Sequence, residues 1–230
     1  RVSEAGEPVW LANVTSDHVN GALSWRPAAA GGSGRVVARL TRLAIPEGQR
    51  SQVAQLLDAP PTDVPGVDVI AENFELGGRA LGRLELLAAN TGSPAQPVWT
   101  VQKLELSTPE AKMTASGSWQ REPGAAAGAP RRMALSFGLD FSNAGALLAR
   151  LGMPGALRGG SGRLEGELGW RGSPFAIHYP TLSGALKLAT TKGQFLKADA
   201  GAGRLLGVLS LQSLPRRITL DFRDVFSEGF

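Results

Sequence analysis

The chain has 230 residues, with 24 Lys plus Arg against 20 Asp plus Glu and a formal charge of +4, enough length for one large all-β domain or two smaller ones. Its basic residues lie singly along alternating segments, Arg131-Arg132 and Arg216-Arg217 being the densest pairs, which excludes the concentrated basic stripe of a nucleic-acid surface. No apolar run reaches the ~18 residues needed to cross a bilayer, and the absence of cysteine fits a thiol-averse compartment as well as an ordinary cytosol.

The chain starts at Arg1 without a methionine and stops at Phe230 inside an approach to another strand, so it is expected to be a piece of a longer polypeptide. Thirty glycines and fifteen prolines punctuate it, and the segments between them alternate apolar and polar residues with the period of a strand. Strands are expected near 8–14, 20–26, 34–44, 67–76, 79–90, 97–107, 111–120, 131–141, 162–171, 182–191, 193–198 and 216–224. Short turns such as Gly77-Gly78 and Lys192-Gly193 predict an antiparallel meander. Residues 1–141 would form a repeated strand segment and 142–230 a second segment of one continuous sheet. Three stretches break the two-residue period and are expected as short helices. Gln49 to Asp58 stops before Pro60. Asn143 to Leu151 has Ser142 or Asn143 as cap and Gly152 as stop. Gly203 to Leu211 is apolar nearly all round through Leu205, Leu206, Val208, Leu209 and Leu211, so it is either core or a helix needing an apolar partner. The Ala/Gly-rich stretches 27–34 and 122–130 interrupt the alternation as loop insertions.

Chemical motifs are scarce. Two histidines, His18 and His178, stand apart with no metal-ligand spacing, and no nucleophile motif accompanies them. Neither a metal nor a cofactor is expected. Gly201, Gly203 and Gly207 with Asp221 are one residue off a dinucleotide fingerprint and lack the alternating strand–helix units it requires. The one-sided strands remain to be explained. Leu135, Phe137, Leu139 and Phe141 alternate with small or polar residues; Leu164, Leu168 and Trp170 face away from Arg163, Glu165 and Glu167; Leu186 and Leu188, and Ile218, Leu220 and Phe222, repeat the pattern. A closed sandwich would bury such faces against one another. A long curved sheet would leave them free to hold lipid chains, and alternation is the same in both.

The stretch from Leu147 to Pro174, LLARLGMPGALRGGSGRLEGELGWRGSP, and the whole of Leu182 to Phe230, with its GQFLK turn, its RLLGVLSLQSL helix and its DFRDVF strand, resemble the C-terminal region of the YhdP family among the AsmA-like envelope proteins. A looser likeness runs through Asn73 to Leu86. The resemblance implies a mainly β, groove-shaped (taco-like) sheet with about three short helices. It also implies a parent protein anchored in the inner membrane by a helix outside this chain, lying on the periplasmic side and moving phospholipid towards the outer membrane without catalysis. On that basis the apolar alternates just named, from Leu135 to Phe222, would line the groove, the helix Leu205 to Leu211 would lie within or across it, and Arg216 or Arg217 would meet headgroups. Phospholipid and the two membranes are the expected partners; a scaffold domain acting through protein contacts is the alternative.

Overall fold

A computed structural model of the chain describes residues 2–4, 7–28, 33–46, 64–93, 96–122, 124, 129–174, 177–195 and 216–221. These form a single sheet of twelve strands whose spatial order is their order in the chain. The strands are β1 (Val2–Glu4), β2 (Glu7–Thr15), β3 (Val19–Arg26), β4 (Arg35–Ile45), β5 (Gly66–Leu76), β6 (Arg79–Asn90), β7 (Trp99–Ser107), β8 (Ala111–Gln120), β9 (Arg132–Phe141), β10 (Leu157–Arg171), β11 (Ser183–Phe195) and β12 (Arg216–Asp221). No second sheet is present among the described residues, so the sandwich alternative has no partner layer there.

The chain is mainly β as expected, with three differences in detail. First, β4 and β5 pair in parallel, Val36 opposite Val67 and Leu40 opposite Ala71, while every other pair is antiparallel. A parallel pair needs a crossover of a dozen or more residues, and residues 46–65 supply it; alternation alone carries no record of strand direction. Second, Lys192-Gly193 is no turn, since β11 runs unbroken from Ser183 to Phe195 and pairs with a β10 that starts at Leu157. Third, one α-helix is found among the described residues, α1 (Ala144–Arg150), with a 3-10 turn at Tyr179–Thr181. The other two expected helices, 49–58 and 203–211, lie outside the described residues, as does Phe222.

Turn chemistry explains the hairpins. Gly77 and Gly78 both have positive φ, 59° and 72°, the combination a two-residue type I′ turn demands and only glycine supplies cheaply. Asn143 caps α1, its side chain accepting from the Ala146 N–H at 3.0 Å. The helix stops with Gly152 at φ 89°, the Gly152 N–H donating to Ala149 O and the Met153 N–H to Leu148 O, which is a Schellman termination. α1 then docks across several strand ends. Arg150 pairs with Glu110 in the β7–β8 turn and donates to Ala80 O at the start of β6, while Ser142 N–H donates to Glu110 O.

All five tryptophans lie near the opposite end of the strands, and three of them tie down the chain that crosses it. The Trp99 indole N–H donates to Pro65 O at 3.1 Å, that of Trp119 to Gly172 O at 2.7 Å and that of Trp170 to Ser173 O at 2.8 Å. Val64, Ala88, Trp99, Val101, Trp119, Met133 and Trp170 form one buried cluster there. A second cluster centres on Ala38, Leu40, Ala71, Phe74 and Leu84.

Candidate functional site

Pairing register decides which side chains share a face, because successive residues point to opposite sides. Following the partners from strand to strand gives cross-sheet rows. One runs Trp10, Trp25, Val36, Val67, Ala88, Val101, Gly117, Leu135, Leu168, Gly184. The next is Ala12, Leu23, Ala38, Val69, Leu86, Leu104, Ala115, Phe137, Gly166, Leu186, Leu220. A third is Val14, Gly21, Leu40, Ala71, Leu84, Leu106, Met113, Leu139, Leu164, Leu188, Ile218. No row contains a polar or charged residue. At a strand spacing of about 4.8 Å the longer rows extend about 48 Å, more than the ~30 Å hydrocarbon thickness of a bilayer.

Register shifts in the ladders of β3–β4, β5–β6, β6–β7 and β7–β8 keep this band in phase. Between Ala71 and Phe74 and between Val101 and Leu104 an extra residue is absorbed, so Phe74 and Leu104 return to the apolar side. Bulges of this kind also bend the strands that carry them.

The structure brings the residues named from sequence into this band. Leu135, Phe137, Leu139, Phe141, Leu164, Leu168, Leu186 and Leu188 are all only partly buried. Trp170 differs. It is 3% exposed, packed beside Trp119 and Met133 and bonded to Ser173, so it anchors the rim chain and is not open on the face. Ile218 and Leu220 take register positions on the same face, opposite Leu188 and Leu186. Arg216 is aligned with Thr190 and Arg217 with Ala189, so the two fall on opposite faces. Leu205, Leu206, Val208, Leu209 and Leu211 lie outside the described residues.

Sequence reasoning missed the larger share of the band, the rows through β2 to β8. The signal was present in the alternation of Leu84, Leu86 and Ala88 and of Leu104 and Leu106, but the bulges hide how the segments line up. Near the N-terminal edge Trp10, Ala12, Leu23, Trp25 and Val36 line a depression of about 330 Å³.

The other face is a ladder of ion pairs. Arg39 binds Asp68 at 2.8 Å and Arg42 binds Glu75 at 3.1 Å. Arg83 holds Glu72 and Glu85, Lys103 holds Glu85 and Glu105, and Lys112 completes the chain to Glu105. Further along, Arg163 joins Asp140 and Glu165, and Lys187 joins Glu165. Hydrogen bonds from Lys103 and then Arg83 pull the Glu85 carboxyl down to about 2. Such exposed pairs contribute little to stability one by one; together they keep this face in water. No group of three or more His, Cys, Asp or Glu side chains suited to a metal occurs among the described residues, and no helix among them is long and apolar enough to cross a membrane.

A family model described as YhdP protein matches residues 1–230. The chain is 32% identical over 120 residues, 52% of its length, to the intermembrane phospholipid transporter YhdP of Escherichia coli strain K12, and the match spans 9% of that protein. No solved structure matches the chain.

Proposed function

The chain belongs to the YhdP family, and from that premise we propose that it is one segment of a groove-shaped, non-enzymatic phospholipid carrier working between the inner and outer membranes on the periplasmic side. The observation that carries this reading is the set of apolar rows running unbroken across β2 to β12 with no second sheet over them among the described residues. A surface of that extent is far larger than the isolated apolar patches of ordinary soluble proteins. Bulged strands and an α1 that reaches from β10 back to the start of β6 favour a sheet curved around this face.

Uniformity of the wall suits transport better than tight capture. Burying a methylene yields about 0.8 kcal/mol, so a ~16-carbon chain held entirely in one pocket would be bound by on the order of 12 kcal/mol and leave slowly. An even band offers the same contact at each successive strand, so a chain slides with little change in energy. The charged face cannot take part, since moving its ions into hydrocarbon is costly. In this reading Leu135, Phe137, Leu139, Phe141, Leu164, Leu168, Leu186, Leu188, Ile218 and Leu220 line the groove with the rows of β2 to β8. Phe222 and the apolar stretch Leu205 to Leu211 belong to it by sequence pattern, and Arg216, which shares the face of Ile218 and Leu220 by register, meets a headgroup in this reading.

Native mass spectrometry of the purified protein, before and after delipidation, tests the reading. Bound phospholipid is expected. Leu168→Asp and Leu186→Asp should each reduce its occupancy several-fold by placing a desolvated carboxylate on the band, while Leu168→Met retains it. Folded protein that carries no lipid, or that carries it equally in the Asp variants, would overturn the assignment.

A further inference from the structure

The charged residues of the tryptophan end divide between the two faces in an uneven way. Its one described carboxylate between β8 and β10, Glu122, is taken on the charged face by Arg132 at 3.7 Å and Arg171 at 3.6 Å. The last ladder pair of the β8–β9 hairpin is Gln120 with Arg132. One step beyond it, just outside both strands, come Arg121 and Arg131; continued alternation from Trp119 and Met133 would put both on the apolar side, and the contact of Arg131 with the Trp119 ring puts it there. The Arg131 guanidinium lies 5.0 Å from the centroid of the Trp119 ring, and the Arg131 carbonyl accepts from Gly172 N–H at 2.8 Å, which fixes it at the rim. Neither arginine has a carboxylate partner among the described residues. Two like charges opposed across a hairpin repel. Burial lowers the Arg131 pKa, and repulsion from Arg121 adds to it.

Arg131, partly buried and backed by an indole, with the exposed Arg121 beside it and no acid on either among the described residues, makes a pair complementary to a phosphate, whose oxygens the planar guanidinium matches two at a time. Inward from it come the buried Trp119 and Met133, and beyond them β8 and β9 present Gly117 and Leu135, Ala115 and Phe137, Met113 and Leu139, then Ala111 and Phe141, about 20 Å of wall at ~3.4 Å per residue. We propose that Arg121 and Arg131 form a phosphodiester site that holds the headgroup of a glycerophospholipid at the tryptophan rim while its acyl chains lie along β8 and β9. This rests on the lipid reading above and adds to it a rim, a polarity and a headgroup class.

The test uses the purified full-length protein with two fluorescent lipids of identical acyl chains, a phosphatidylglycerol and a diacylglycerol that lacks the phosphate. Wild type should bind the phosphatidylglycerol more tightly, and Arg121→Gln/Arg131→Gln should weaken that binding about tenfold, the scale of a lost charge-assisted pair, with diacylglycerol binding unchanged. Unchanged diacylglycerol binding also certifies the fold; if the double variant does not fold, Arg121→Gln alone, at an exposed position, carries the same expectation at smaller size. Arg121→Lys/Arg131→Lys should keep most of the preference. Equal binding of the two lipids by wild type, or phosphatidylglycerol binding unaltered in the Gln variants, overturns the headgroup site and leaves the groove standing. Failure of wild type to bind either lipid overturns the groove itself. Inorganic phosphate bound by wild type and lost in the Gln double variant, with no preference for phosphatidylglycerol over diacylglycerol, would assign the arginines to free phosphate and overturn the lipid source.

Discussion

Single residues set both faces of this sheet. On the apolar side Gly166 sits between Phe137 and Leu186 in its row, and a Cβ placed there would lie 2.4 Å from Ala185 O and 2.6 Å from Leu186 Cδ2. Backbone cannot yield as a side-chain tip can, so Gly166→Val is expected to lower stability by about 1–3 kcal/mol, read as a fall in the midpoint of thermal unfolding; an unchanged midpoint would mean that β10 and β11 are not so closely apposed. On the charged side Glu85 is the hub of the ladder. Its carboxyl is held at about 2 in the folded chain against an ordinary 4.5, by hydrogen bonds from Lys103 and Arg83. A lowered folded-state pKa means stabilisation that is complete above the ordinary value and is lost as pH falls from about 4.5 towards 2. Glu85→Gln should therefore lower the urea midpoint at pH 7, modestly because the pair is exposed, and the two proteins should converge as pH falls through that window, which flattens the variant's acid limb. Identical acid limbs in the two proteins would remove Glu85 from the ladder's centre.

Among the elements, α1 is the one whose removal should be felt at a distance. Arg150 and Glu110 join it to the β7–β8 turn, and Glu110 is 8% exposed. A hydrogen bond from Arg150 holds the Glu110 carboxyl below its usual range. Arg150→Ala should cost about 1–3 kcal/mol by leaving that carboxylate without its partner, and amide exchange should quicken at Ser142, whose N–H donates to Glu110 O, and at Leu147 in α1, whose N–H donates to Asn143 O. Protection unchanged at both would show α1 to be a loosely attached excursion. The elements themselves were largely legible in the sequence, because alternation and glycine turns identify strands wherever one side is wet and the other is not. The cap at Asn143 and the stop at Gly152 were legible for the same local reason. What escaped was whatever depends on distant partners. The parallel β4–β5 pair has the same alternation as an antiparallel one. Lys192-Gly193 has turn chemistry yet continues β11, because β10 begins early enough to pair with it through Gly159. The apolar residues of β9 to β11 could be named from sequence, but their continuation into β2 to β8 depends on bulges that only the register reveals. The Arg121 and Arg131 pair was hidden in the same way, beside a loop that reads only as low complexity.

At the scale of the whole molecule, a sheet with one hydrocarbon face and one ionic face is a boundary between two solvents, and its function follows from which solvent meets each side. Ion pairs from Arg39 to Lys187 fix water on one side, and the continuous rows leave the other for the acyl chains of the proposed carrier. A photocrosslinking amino acid placed in turn along β7 and β10 of the protein in cells tests that division most directly. Positions Leu104, Leu106, Leu164 and Leu168 share the apolar face, and Lys103, Glu105, Arg163 and Glu167 share the other. The account predicts phospholipid adducts at the four leucine positions and none at the four charged ones, so that labelling alternates with every residue along each strand. Adducts spread equally over both faces, or protein in place of lipid at the leucine positions of a folded chain, would contradict it.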